Sequence, residues 1–337
     1  MSRKLATIQT IEKIEPIEGA DSIERAKVLG WHVVVKKGEF KPGMPCVYIE
    51  IDSIVPDKPE FEFLRPRGFR VKTIRLRGQI SQGICFPPSI VKEGDIELGT
   101  DVTAVLGISK WEPVIPPHLT GKVIGQFPAF MPKTDETRVQ VLGSVLKRHT
   151  GKPCYITEKI DGTSATFAIK DGQFVVCNRN LQLADSEENT HWKVAKELKI
   201  EEKLRSLGKN ICIQGEIYGW GVQKNPFGLR QQRLAIFNAF EIDNFRYLGF
   251  VEFTDLMKSL ELPTVPVLDE AFILNDDVDS LVKTATKKSV LAPTVWAEGI
   301  VIRPHIEVVD LEMSKEWGNG RLSFKVINPE YLLKQGE

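Results

Sequence analysis

No stretch of the 337 residues reaches the run of ~20 apolar residues that a membrane-crossing helix requires. The opening Met1-Ser2-Arg3-Lys4 has none of the apolar core of a secretory signal, which sets the expectation of an intracellular protein. Cysteine is scarce: Cys46, Cys85, Cys154, Cys177 and Cys212 are widely spaced, odd in number and form no Cys-x-x-Cys pair, which argues against a disulfide framework or a zinc module. The five histidines show no ligand spacing. Neither a Walker-type loop nor a Gly-x-Gly-x-x-Gly turn is present, so a bound nucleotide would be held some other way. Net charge is also lacking, with 45 basic residues against 45 acidic, and global electrostatics points to no nucleic-acid partner.

What is present is a composition with 42% hydrophobic and 27% charged residues, that of a soluble globular chain long enough for two domains. Charge is concentrated locally. Residues 65–77 hold six basic side chains (Arg65, Arg67, Arg70, Lys72, Arg75, Arg77) and no acidic one, interleaved with Phe69, Val71, Ile74 and Leu76. The alternation has period two and slips phase once at Thr73, which predicts a half-buried strand with one irregularity and a row of cations on its outer face. The other reading of that row is a solvated face of an ordinary barrel.

Residues 1–110 read as all-β, with strands expected at 5–11, 31–35, 46–51, the basic stretch and 102–105, separated by turns such as Lys41-Pro42-Gly43. About five short strands suit an OB-type barrel. Residues 111–132 carry Pro113, Pro116, Pro117, Pro128 and Pro132 and read as a linker, and a helix is expected to begin shortly after 133. Residues 133–337 read as an α+β domain of antiparallel sheets with flanking helices. Its strands are expected at 154–160, 165–169, 174–177, 211–218, 234–242, 299–303 and 322–327, and helices at 192–207, 253–260 and 277–287.

The centre of the second segment is Glu158-Lys159-Ile160-Asp161-Gly162-Thr163. A lysine beside an Asp-Gly turn is too common to stand alone. Behind it, in order, come Arg179, Glu216 in Gly215-Glu216-Ile217-Tyr218-Gly219, Phe240-Glu241 in Phe237-Asn238-Ala239-Phe240-Glu241-Ile242, Glu298 in Glu298-Gly299-Ile300-Val301-Ile302-Arg303, and Lys325 in Phe324-Lys325-Val326-Ile327-Asn328. Charges embedded in apolar strands are costly unless paired or coordinated, and stability alone hardly explains five.

This series resembles the nucleotidyltransferase motifs of the covalent lysine-adenylate superfamily, and within it the ATP-dependent RNA ligases of the RNA-ligase-2-like, nick-sealing repair group whose OB domain lies at the N-terminus. The resemblance implies a lysyl-adenylate intermediate on Lys159, with Lys325 on the α-phosphate. It implies Glu158 at the adenine edge, Phe240 stacked on adenine, Arg179 at ribose or the 5′-phosphate and Arg138 as a further phosphate contact. Asp161, Glu216 and Glu298 would gather Mg²⁺ or Mn²⁺, directly or through water, and Glu241 would support the site. Motif V usually brings two lysines, and only Lys325 is present, so a second phosphate contact would come from Arg321, Lys334 or elsewhere. Arg70, Lys72, Arg75 and Arg77 would lie along the backbone of a nicked RNA duplex or RNA/DNA hybrid, the protein acting as a monomer. The alternatives are a capping-type guanylyltransferase or DNA ligase, disfavoured because their OB domain follows motif V, and a non-catalytic OB-fold RNA-binding protein.

Overall fold

A computed structural model describes residues 4–92, 96–112, 121–313 and 320–334. It divides into two compact units: the first takes the residues up to 113 together with 139–143 and those from 332 onward, the second 114–138 and 144–331.

The first unit is built from β1 (Ala6–Thr10), β2 (Lys13–Pro16), β3 (Ile23–Val28), β4 (Trp31–Lys36), β5 (Pro45–Ile49), β6 (Ser53–Ile54), β7 (Arg70–Val71), β8 (Thr73–Leu76), β9 (Gln79–Gln82), β10 (Ile84–Phe86) and β11 (Ser109–Lys110). All its pairings are antiparallel, with β5 between β1 and β10, β3 between β2 and β4, β6 between β11 and β7, and β8 on β9. In β4 the period-two pattern is plain: Trp31, Val33 and Val35 are buried and the residues between them are not.

The strand expected at 102–105 is instead a turn of helix, Thr103–Leu106. Asp101 accepts the Thr103 N–H (3.0 Å), and Gly107 closes the turn at φ 73°. The basic stretch is likewise not one strand. It breaks at Lys72 into β7, paired with β6, and β8, paired with β9. The phase slip in the sequence is a change of partner.

The second unit continues with β12 (Val123–Gln126), β13 (Thr137–Arg138), β14 (Pro153–Lys159), β15 (Thr163–Lys170), β16 (Gln173–Cys177), β17 (Leu181–Leu183), β18 (Ile211–Gly219), β19 (Gln232–Glu241), β20 (Arg246–Tyr247), β21 (Val267–Ile273), β22 (Gly299–Pro304) and β23 (Phe324–Ile327). They form a seven-stranded sheet, β12-β17-β16-β15-β18-β19-β20, and a five-stranded one, β13-β23-β22-β14-β21. Of the expected linker, residues 113–120 lie outside the described residues, while β12 pairs with β17. Past 133 the chain first runs extended as β13, parallel to β23, because Thr137 and Arg138 register with Phe324 and Lys325; a helix, Gly143–His149, follows. The helix expected at 192–207 is two helices, Thr190–Glu197 and Ile200–Arg205, broken where Lys199 turns left-handed at φ 52°. Asp171 and Gly172, at φ 49° and 76°, make the tight turn between β15 and β16. The main core packs β15, β18 and β19 against these helices and Phe250–Ser259, through Phe167, Ile213, Ile236, Leu204 and Met257.

Candidate active site

The two sheets of the second unit meet over a cleft lined by Thr134, Glu136, Thr157, Glu158, Lys159, Ile160, Glu216, Phe237, Val265, Val301 and Arg303. Its open mouth included, it encloses about 460 Å³ of atom-free space.

Lys159 ends β14 and registers with Gly299 of β22, which sets the preceding Glu298 beside it: Lys159 Nζ lies 2.7 Å from Glu298 Oε2. Thr157, Val301 and Lys325 stand directly across from one another on β14, β22 and β23, so Lys325 shares the face that carries Lys159, and Arg138 registers beside Lys325. Glu216 comes from the other sheet. The close approach needs glycine. A Cβ on Gly162 would stand 2.3 Å from the Ile217 carbonyl oxygen and 2.8 Å from Glu216 Cγ, and one on Gly299 would stand 2.2 Å from the Val326 oxygen.

The electrostatics follow from this crowding. Burial alone would lower the Lys159 pKa, but the charges of Glu298, Glu216 and Asp161 outweigh it and hold the ammonium above its ordinary value. Burial pushes Glu216 up to about 8, with Glu298 and Asp161 adding to the shift and Lys159 and Arg179 opposing it. Burial and Glu298 push Asp161 up to about 6, against the Tyr331 hydroxyl that donates to it. Tyr331, in the helix Pro329–Lys334, has no role legible from sequence; its only signal is its place in the Asn328-x-x-Tyr331 run.

A consequence can be measured without substrate. A carboxyl whose folded pKa exceeds its unfolded value of about 4.5 contributes stability that is complete below that value and lost as pH rises through about 8. The metal-free protein is therefore expected to melt at falling temperature from pH 5 to 8, and Glu216→Gln to flatten the slope by up to ~1.4 kcal/mol per pH unit. Superimposable pH profiles for the two proteins in chelator would refute it.

Three carboxylates around one cation are the hard oxygen donors a divalent ion prefers. Among the described residues, however, no three carboxylate, imidazole or thiol groups converge closely enough to hold an ion themselves. Of the two forms expected for Asp161, Glu216 and Glu298, direct or through water, this spacing suits the one in which water or phosphate oxygens complete the shell.

Four other expected roles change. Phe240 is buried in a core with Met131, Val175 and Cys212, edge-on to Phe245 and Tyr247, and does not line the cleft. Phe237 does, because Gln214 registers with Asn238 but Gly215 with Ile236, leaving Phe237 as the extra residue of a bulge. Gly215 permits the bulge, since a Cβ there would meet the Ala235 oxygen at 2.7 Å. Glu241, at the far end of β19, accepts from Lys209, Asn244 and Arg246, the first two holding its pKa down to about 2; it braces a turn and not the site. Arg70 is buried, 3.5 Å over the Trp111 ring and paired with Asp52, because β7 turns it inward. It cannot lie along a substrate backbone, whereas Arg75 and Arg77 are exposed and Lys72 is half-buried. Arg321, a candidate second phosphate contact, is buried against Glu307, Asn238 and the Tyr247 ring.

Glu158 lines the cleft with both carboxylate oxygens engaged, one by the Ser289 hydroxyl and one by the Val290 N–H (2.9 Å). Arg179 sits in the bend after β16, not in a strand, ion-paired to Asp135. Sequence reasoning missed Arg303, which is buried and reaches Ser323 (2.8 Å), the Phe237 carbonyl (3.0 Å) and Glu136 (2.8 Å).

Comparison with known proteins adds an independent line. A family model described as RNA ligase matches residues 152–327, and an OB-fold domain model matches residues 5–88. No curated protein matches the chain. A solved structure of a Naegleria gruberi RNA ligase variant with ATP and Mn is similar at 38% identity and a TM-score of 0.89, over 98% of each chain. A second variant with ATP and Mn gives 37% and 0.89 over 99% of this chain and 100% of that one. The same ligase with PPi gives 38% and 0.87 over 98% of each. An N-terminal OB fold, a cleft between two sheets built around Lys159, and these likenesses along nearly the whole length place the chain in the RNA ligase family.

Proposed function

We propose that this RNA ligase uses ATP and a divalent metal to seal 3′-OH/5′-phosphate breaks in an RNA-containing duplex. The observation that carries the reading is Lys159, its amine 2.7 Å from Glu298 amid Asp161 and Glu216 at a cleft walled by Phe237. The Naegleria gruberi ligase structures with ATP and Mn support the choice of nucleotide and ion.

Three transfers at one site follow. The Lys159 amine, once deprotonated, attacks the α-phosphorus; an N–P bond forms and the bond to pyrophosphate breaks. A 5′-phosphate oxygen of the RNA then takes the AMP from Lys159, and the 3′-OH finally attacks that 5′-phosphorus and expels AMP. The carboxylates alone keep the amine protonated, and a bound divalent cation supplies the opposing charge that lets the proton leave. Asp161, Glu216 and Glu298 are the residues that would hold that ion. Phe237 stacks on the adenine ring, Glu158 borders it, and Lys325 and Arg138 stabilise charge developing on the phosphates. Arg179 reaches ribose or the 5′-phosphate.

Covalent labelling of the protein with α-labelled ATP, and not GTP, tests the nucleotide; GTP labelling would make it a guanylyltransferase. Sealing of nicks built with each RNA/DNA combination defines the substrate, and a preference for single strands would overturn the nick-sealing reading. Lys72, Arg75 and Arg77 are assigned to phosphate contacts that position the duplex without reading bases. Neutralising all three, with Arg70 left in place, is expected to weaken sealing and to reduce its salt dependence by roughly 0.7–0.9 in log–log slope for each phosphate that no longer meets a cation, while lysyl-adenylate formation is unchanged. Equal loss of both reactions would make the row structural.

A further inference from the structure

Residues 219–233, which run from the last residue of β18 through the connection to the second residue of β19, contain three cations (Lys224, Arg230, Arg233), an exposed tryptophan and no acidic residue. Their conformation is built rather than loose. The Trp220 N–H donates to the Gln231 carbonyl (3.3 Å), Gln232 Nε2 donates to the Trp220 carbonyl (3.2 Å), and Asn225 bridges to both the N–H and the carbonyl of Leu229 (3.1 and 2.9 Å). Val222 is buried as an anchor, and Phe227 packs edge-on to Tyr218. The connection is also seated on the reactive lysine's own turn: Gln223 Nε2 donates to the Gly162 carbonyl (2.9 Å), and the Lys224 charge acts on Asp161.

On this frame Trp220 leaves 65% of its surface exposed. The ties at this position run through its backbone and the buried packing through Val222, and the indole ring is left largely outward. An aromatic face among cations, with no carboxylate of its own, suits one class of partner, a nucleic-acid end: cations take the phosphates and the ring takes a base face. Within a duplex base faces are hidden by stacking and become available only at an end or a break.

Resting on the ligase reading above, we propose that residues 219–233 form an end-capping platform, with Trp220 stacked on the base adjoining the RNA break and Lys224, Arg230 and Arg233 on the neighbouring phosphates. The platform fixes the RNA end relative to Lys159 through the Gln223–Gly162 bond. It acts in the two RNA-dependent transfers and not in the first, which involves ATP alone.

The test compares wild type, Trp220→Ala and Trp220→Phe in two assays: lysyl-adenylate formation from labelled ATP without RNA, and single-turnover sealing of nicked duplex RNA by pre-adenylylated enzyme at subsaturating RNA. Trp220→Ala is expected to label as wild type but to seal on the order of 10-fold more slowly, with Trp220→Phe recovering most of the loss. Wild-type sealing by Trp220→Ala, or parallel loss of labelling and sealing, overturns the platform. A wild-type protein that neither labels nor seals would instead refute the ligase reading itself.

Discussion

Lys159→Ala is expected to form no covalent adenylate from labelled ATP, at least ~10³-fold below wild type, the order of loss when a covalent nucleophile is deleted. Sealing of ordinary 5′-phosphorylated RNA falls with it, because both later transfers draw on that adenylate. RNA whose 5′ end already carries the adenylate is still joined, since attack by the 3′-OH requires no amine. Lys159→Arg is no rescue: a guanidinium does not lose its proton in a protein and cannot attack phosphorus. The variant has a second consequence. It removes the cation nearest Glu298, leaving Asp161, Glu216 and Glu298 to repel one another, so the alanine protein is also expected to be less stable at alkaline pH and to gain more from added Mn²⁺ or Mg²⁺. An alanine variant that seals ordinary nicks with ATP at wild-type rate would end the mechanism proposed here.

Arg303→Met carries the largest expected effect on stability. The guanidinium is almost wholly buried and joins three parts of the cleft wall: Ser323 on the approach to β23, the carbonyl of the bulged Phe237 on β19, and Glu136 ahead of β13. Its plane lets one group serve three acceptors in different directions, which a lysine ammonium on a flexible stem cannot reproduce. Removing it strands Glu136 in a half-closed site, and breaking a buried pair by deleting one partner costs about 3–5 kcal/mol. The melting temperature is expected to fall by roughly 10 °C. Because Phe237 loses the bond that fixes its backbone, KM for ATP is also expected to rise, with the Glu136→Gln/Arg303→Met double variant regaining part of the stability but not the affinity. Melting at the wild-type temperature would show that the network is dispensable.

The sites that sequence located and those that it misplaced differ in kind. Lys159, Asp161, Glu216 and Glu298 are charges in or beside apolar strands, and that incongruity is visible in one dimension; the fold brings all four within electrostatic reach of one another. The hairpin at Asp171-Gly172 was equally legible, because a tight turn with two left-handed residues is a local matter. Phe240 and Phe237 stand three residues apart on one strand, equally aromatic, and only the skipped register opposite Gly215 decides which enters the cleft. Arg70 belongs to a run of cations and is distinguished from Arg75 only by the strand it pairs with and the indole that covers it.

Arg303 and Tyr331 stand in the sequence as letters without a role, because a buried donor such as Arg303 acquires its meaning from partners 20 to 167 residues away. The sequence by itself determined which lysine stands at the centre, which carboxylates surround it, and that a barrel precedes them. Tertiary structure alone decided orientation, meaning which aromatic lines the cleft, which arginine is exposed and which holds the wall, since side-chain direction depends on strand register and bulges that form between segments distant along the chain.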